Sequence, residues 1–394
     1  MKTHPILLAA ICLLLCPLLL SCTDSTGATS SDQSQNQEVA ANMSDGDEAA
    51  LVDGNTAFAF DLYHRLSLEA EGNEDPNIFF SPYSISIALG MTYAGARGET
   101  ETEMADTLHF TLPQGKLHPA FNSLDSKLTA LSEASGTGSV LLATANSLWA
   151  QDGWNFLADF LDLVQLNYEA GLKYVDFEGN PEACRIEINQ WVEEKTRDKI
   201  QDLLPQGVID TLTTLVLVNA VYFKGNWVSR FDPEMTSEQD FHLLDNSTLK
   251  VPMMSQSGDF LYTQAESCQA VELPYIGKKL SMVIFLPDQG KFAEFENSFS
   301  EQKAGEIIDS LHADNIRVAI PKFELEIPYD EMAVTLGEMG MPSAFDGGAD
   351  FSGMDGRRDL FISAVVHKAF ISVDEEGTEA AAATGVVMGR GMPA

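Results

Sequence analysis

The chain has 394 residues, enough for one large domain or two ordinary ones with a substantial core. Hydrophobic residues at 45% and charged residues at 21% exclude a disordered or collagen-like chain. A formal net charge of −36 leaves too few cations to neutralise many phosphates, which argues against nucleic acid as a partner.

Residues 1–22 read as a targeting segment and not as part of the fold. Lys2 is the only positive charge ahead of an apolar run from Ile6 to Leu20, interrupted by Pro17 and too short for an ordinary membrane-spanning helix. The run ends in Leu19-Leu20-Ser21-Cys22, which resembles the lipobox of bacterial lipoproteins and makes Cys22 the expected lipidation site; a plain cleaved signal peptide is the simpler alternative. Cys16, behind Leu15, fits that pattern less well. Residues 23–50 are rich in Ser, Asp, Gln and Ala and read as a flexible tether reaching on the order of 30 Å. "SDGDEAALVDGN" lacks the alternating ligands of a calcium loop. Beyond the leader only Cys184 and Cys268 remain, and nothing in the sequence says whether they pair.

From Leu51 onward no linker divides the chain, so residues 51–394 read as one domain. Phe58, Leu62, Leu66 and Leu68 follow helical spacing. "NIFFSPYSISIALGMTYAGA" predicts a strand handing over to a helix, with Ser81 as N-cap and Pro82 at the first helical position. "IEINQWVEEKTRDKIQDLLP" predicts an amphipathic helix stopped by Pro205, with Glu193 and Arg197 paired at i, i+4. Leu215 to Phe223 is a continuous apolar run, the mark of a strand buried on both faces. Two strands flank Gly277-Lys278-Lys279, Phe323 to Ile327 alternates, and "LFISAVVHKAFISVDEEG" is a long strand. The fold class is α+β.

The seven His residues form no H-E-x-x-H, and there is no G-x-S-x-G elbow, phosphate-binding Gly loop or Cys-x-x-Cys pair. No motif nominates an enzyme, a metal or a cofactor. What stands out is the ending, "DEEGTEAAAATGVVMGRGMPA", too poor in apolar surface for a core strand and too rich in Gly for a helix.

In order along the chain, "NIFFSPYSISIALGMTYAGARGET", "LVNAVYFKGNW", "VELPYIGKKLSMVIFLP", "IPKFELE" and "SAVVHKAFISVDEEGTEAAAATG" resemble the serpins, from Leu51 to the end. The resemblance implies about eight or nine helices around three β-sheets, with an exposed reactive-centre loop. It implies a serine-protease inhibitor acting as a suicide substrate, with cysteine proteases a second target class: the protease forms an acyl-enzyme on the loop, which then inserts into the central sheet. A non-inhibitory serpin that only binds is the alternative. Partners implied are proteases alone: no nucleic acid, no cofactor, membrane contact only through the lipid anchor, and a monomeric chain.

The same resemblance assigns residues. Glu375, Glu376, Gly377, Thr378, Glu379, Ala380, Ala381, Ala382, Ala383 and Thr384 match the hinge, where small side chains suit a strand that must slip between two others. Period-two alternation sets Thr378, Ala380, Ala382 and Thr384 inward and Glu379, Ala381 and Ala383 toward water. Ser81, Ser84, Asn219 and His367 match the polar shutter beneath the sheet, and Trp227 the aromatic breach at its upper end. Counting from the hinge Gly lands on Gly391-Met392; Arg390-Gly391, one residue earlier, suits a trypsin-like pocket and is preferred, with Met388-Gly389 an alternative for elastase-like enzymes. Serpins continue for a few dozen residues beyond this bond, whereas Ala394 is the last residue here, so the sequence reads as a fragment, with a natural truncation the alternative. Lys116, His118 and Lys127 are too few for heparin-type activation.

Overall fold

The computed structural model describes residues 44–70, 77–133, 140–245 and 247–391. Among them are ten α-helices: α1 (Asp45–Ala70), α2 (Pro82–Tyr93), α3 (Gly98–Thr107), α4 (Gln114–Glu133), α5 (Ala158–Tyr168), α6 (Pro181–Lys195), α7 (Phe292–Ser298), α8 (Glu301–Asp309), α9 (Met332–Met339) and α10 (Ser352–Asp355). The strands are β1 (Leu141–Gln151), β2 (Gly171–Val175), β3 (Thr213–Asn226), β4 (Ser237–His242), β5 (Thr248–Gln264), β6 (Cys268–Pro274), β7 (Ser281–Pro287), β8 (His312–Pro321), β9 (Phe323–Tyr329), β10 (Leu360–Val373) and β11 (Gly377–Arg390).

A six-stranded sheet runs in the order β2-β1-β3-β11-β10-β9, antiparallel except for β1 against β2. One face packs on α2 with α1, α4 and α5 through Phe58, Leu62, Ile85, Leu89, Leu217 and Val386. The other face lies under α6 and the segment after it, through Ile188, Val192, Leu204, Val218 and Val387. The β3 run of apolar residues therefore needs no polar alternation, because both of its faces are covered.

The second sheet follows β4-β5-β6-β7, with β8 alongside β5. Its strand β5 pairs with β4 over Thr248–Met253 and with β6 over Leu261–Gln264, so one long strand serves two sheet halves. This continuity is why the described residues form two sheets where three were expected. Trp227, Met254, Leu273, Tyr275 and Ile371 bind this sheet to the upper end of the first.

Several local expectations need correction. Helix α1 begins at Asp45, inside the stretch read as tether, and buries Glu48 against Ser123 and Lys127. Phe58, Leu62 and Leu66 are buried as expected, but Leu68 is exposed. Ser81 caps α2 by accepting from the Ser84 amide, with Pro82 at N1, yet residues 77–80 pair with no described strand. Helix α6 ends at Lys195 rather than running to Pro205. Thr196 turns its hydroxyl back to the Val192 carbonyl and receives the Ile200 amide, while Arg197 and Asp198 take left-handed φ values of 54° and 61°. Arg197 thus leaves the helix and lies over the Tyr222 ring instead of pairing with Glu193. Cys184 and Cys268 are buried and free of each other. No helix among the described residues is long and apolar enough to cross a membrane, and Cys22 lies outside those residues.

Candidate functional site

The alanine-rich segment expected outside the sheet is its fourth strand in order, β11, fully paired on both sides. Thr378 faces Val373 of β10 and Gly225 of β3; Ala382 faces Ala369 and Val221; Thr384 faces His367 and Asn219. Its 14 residues span about 45 Å at roughly 3.4 Å each. The exposed loop is thereby corrected to an inserted strand: a central position satisfies both rows of backbone groups, which an external loop leaves to water.

The turn that reverses the chain uses hinge residues. The Asp374 carboxylate accepts from the amides of Glu376 and Gly377, and the Asp374 amide donates to the Gly377 carbonyl. Glycine is required at 377, because a Cβ there would collide with the Gly225 carbonyl oxygen. Glu375 accepts from the Thr236 hydroxyl at 2.8 Å and pairs with Lys322 at 2.8 Å. The Lys322 hydrogen bond is the main force holding its carboxyl below the ordinary range.

The strand's alternation holds, but its outer face does not meet water. Ala381, Ala383 and Val387 pack beneath α6 and the segment after it, which cross the sheet there. Glu379 on that face is taken up by Tyr222, which donates at 2.6 Å, and by Lys199 at 3.3 Å. Burial works to raise its carboxyl, and the Tyr222 and Lys199 hydrogen bonds outweigh it. Small residues are needed on both faces for this reason. On the inner face they leave a cavity of about 180 Å³ bounded by Val52, Phe79, Leu128, Tyr275, Thr378 and Ala380.

Midway along β11 lies a buried polar centre. The Ser81 amide donates to Nε2 of His367 at 3.1 Å, so Nδ1 carries the proton and donates to the Thr384 hydroxyl at 2.8 Å. Ser84 donates to Oδ1 of Asn219 at 2.6 Å, which leaves its oxygen to accept from Thr384 at 3.0 Å. Asn219 donates on to Asn146 at 2.9 Å, and Asn146 to the Tyr168 carbonyl at 2.8 Å. The four expected shutter residues are therefore brought together, and Thr384 of the inserted strand is their bridge. Asn146 was not visible from the sequence, where it is one of several polar residues in β1. Complete burial drops the His367 pKa to about 3 and keeps the ring neutral, as the tautomer demands.

At the upper end, Trp227 is buried, stacks on Tyr275 at 4.7 Å and donates from its indole to the Asp374 carbonyl at 3.0 Å. Tyr275 in turn donates to Thr378 at 2.9 Å. At the lower end Met388 is buried and Arg390 closes the strand, its amide donating to the Leu212 carbonyl at 3.1 Å; the Gly391 amide donates to Asp359. Gly389 lies within β11, so the Met388-Gly389 bond is not exposed as a loop, and Met392 lies outside the described residues. Of the cations weighed for heparin, Lys116 is held by Asp47 at 2.8 Å and Lys127 by Glu48 at 2.7 Å, while buried His118 has a pKa near 3 because of that burial. The described residues hold no group of three His, Cys, Asp or Glu able to bind a metal.

A family model described as Serpin (serine protease inhibitor) matches residues 53–394. The chain belongs to the serpin family. An uncharacterized serpin-like protein of Thermococcus kodakarensis is 42% identical over 351 residues, covering 89% of this chain and 79% of that protein. The leukocyte elastase inhibitor of Equus caballus is 41% identical over 349 residues, covering 86% of this serpin and 89% of the relative. Among solved structures, Cleaved Serpin 42Da superposes with a TM-score of 0.78 at 33% identity, over 88% of this chain and 90% of that one. The serpin fold, with helices packed around β-sheets, is thus shown.

Proposed function

We propose that this serpin inhibits serine proteases as a suicide substrate and catalyses no turnover of its own. The observation that carries the reading is β11: fourteen residues from the hinge onward fit as a central antiparallel strand, small on both faces over Ala380–Ala383 and hydrogen-bonded at top, middle and bottom. In this mechanism a protease attacks the segment while it is outside the sheet and becomes acylated. The strand then enters between β3 and β10, and the acyl bond travels about 45 Å to the lower pole before it can hydrolyse. Gly377 and Trp227 are where insertion starts, and the Ser81, Ser84, Asn219 and His367 cluster is what the strand must cross. The leukocyte elastase inhibitors among the relatives support a serine-protease target. Arg390-Gly391 is the proposed reactive bond, which favours trypsin-like enzymes, with Met388-Gly389 and Gly391-Met392 as alternatives; cysteine proteases are a second class.

We further propose that residues 1–22 direct export, that Cys22 is lipidated as in bacterial lipoproteins, and that residues beyond Cys22 tether a monomeric serpin at the cell envelope.

Incubation with trypsin and with elastase tests the inhibitory reading. A protease complex that survives boiling in detergent is the expected result. Cleavage without a complex would refute it and leave the non-inhibitory alternative.

A further inference from the structure

The lower end of β11 finishes against side chains that strand pairing alone does not require. The Arg390 guanidinium lies 5.7 Å from the centre of the Trp154 ring and 3.6 Å from the Glu178 carboxylate, with 30% of the side chain exposed. Main-chain bonds to Leu212 and Asp359 would anchor residues 390 and 391 whatever the side chain, so these contacts select for what is carried at 390.

The two walls come from separate segments, the turn after β1 and the turn after β2, and one buried residue ties them together. Gln151 accepts the Trp154 amide on its carbonyl at 3.1 Å and the Glu178 amide on its side-chain oxygen at 3.0 Å. The ring is already used to hold a cation: Arg357 lies 4.3 Å over it, with Asp355 at 3.1 Å and Asp359 at 3.8 Å as counter-charges. An aromatic face with carboxylates around it is a surface for a flat, weakly hydrated cation, which a guanidinium is and an ammonium is not.

We propose that the lower pole of the six-stranded sheet carries a guanidinium site, walled by Trp154 and Glu178, whose ligand is the arginine side chain that ends the inserted strand. The site retains the last turn of travel. It resists fraying of β11 where the strand ends at Arg390. Arginine at 390 then serves two encounters, one with a protease pocket and one with this destination. The proposal rests on the inhibitory reading only in taking Arg390 to reach the pole by insertion.

Amide hydrogen exchange of residues 386–391 in the full chain tests it, read on the form in which β11 is inserted. One ring contact and one partly exposed ion pair predict about 3- to 10-fold faster exchange in Glu178→Gln and in Arg390→Gln. The double variant should exchange no faster than Arg390→Gln alone. Arg390→Lys should recover only part of the protection, and Trp154→Phe more of it than Trp154→Leu. High salt should speed the wild type toward Glu178→Gln. Because Glu178 is exposed, its variant folds even if a Trp154 variant does not. Additive effects in the double variant, or single variants within about two-fold of wild type, would overturn the site. Coupling without a detergent-stable trypsin complex would sink only the inhibitory function, and a complex without coupling only the site. Fast exchange along all of β11 in every variant would overturn the site and leave the inhibitory reading, which places the segment outside the sheet before cleavage, to the trypsin assay.

Discussion

Thr384→Val is the sharpest probe of the strand's seat. Valine keeps the branched shape and removes the hydroxyl that joins His367 to Ser84. The His367 Nδ1–H then has no acceptor in a fully buried site, while Ser84 keeps its bond to Asn219 and loses one donor. An orphaned buried donor costs about 1–3 kcal/mol and a lost hydrogen bond about 1 kcal/mol more, so about 2–4 kcal/mol should vanish from the inserted form. Urea unfolding of wild type, Thr384→Val and Thr384→Ser, each cleaved beforehand so that β11 is inserted, measures it, with serine expected to recover most of the loss by keeping the hydroxyl. The cost belongs to the inserted conformation alone, since Thr384 enters the centre only as part of β11. Equal stability of the valine and serine variants would refute the hydrogen-bond relay.

Acid should weaken the fold through its two buried histidines. His118 and His367 have pKa values near 3 in the folded chain against an ordinary 6.5, so between those values the unfolded chain binds protons that the folded chain refuses. Stability therefore falls as pH drops from about 6.5 toward 3, by up to about 1.4 kcal/mol per unit for each group, and His118→Phe should flatten the slope of melting temperature against pH. Gly377→Ala forces a side chain against the Gly225 carbonyl and should cost about 1–3 kcal/mol of the inserted form, seen as a shift from detergent-stable complex to cleaved serpin in a trypsin titration. Glu379→Gln removes partly buried pairs with Lys199 and Lys224 and should lower the unfolding free energy measured in urea by no more than about 1 kcal/mol, with the difference from wild type shrinking in high salt.

Patterns with one dominant cause were legible in the chain. The apolar run of β3 could only be a strand covered on both sides, and Ser81-Pro82 could only start a helix, because cap and ring geometry act locally. The end of α6 was misread because a local rule competed with a tertiary one. Pro205 marks a stop, but Thr196 turns the chain nine residues earlier so that it can cross the sheet. The outer face of β11 was misread for the same reason: alternation shows which residues share a face, and only the crossing of α6 decides that this face is dry.

The candidate site divides along the same line. Gly377 and the run of alanines announce a segment that must come close to other backbone, and Arg390 announces an arginine to be recognised. Neither contains the partner. Asn146, Trp154, Glu178 and Gln151 lie more than 190 residues before the strand they serve, and no spacing rule links positions so far apart. Residue type and order were written in the chain itself: small side chains, a turn-forming glycine, capping groups and hydrophobic periods are short-range properties. Whether the last strand lies in the sheet, which hydroxyl closes the polar relay and what receives the arginine were settled by packing, because those contacts exist only once distant segments share one surface.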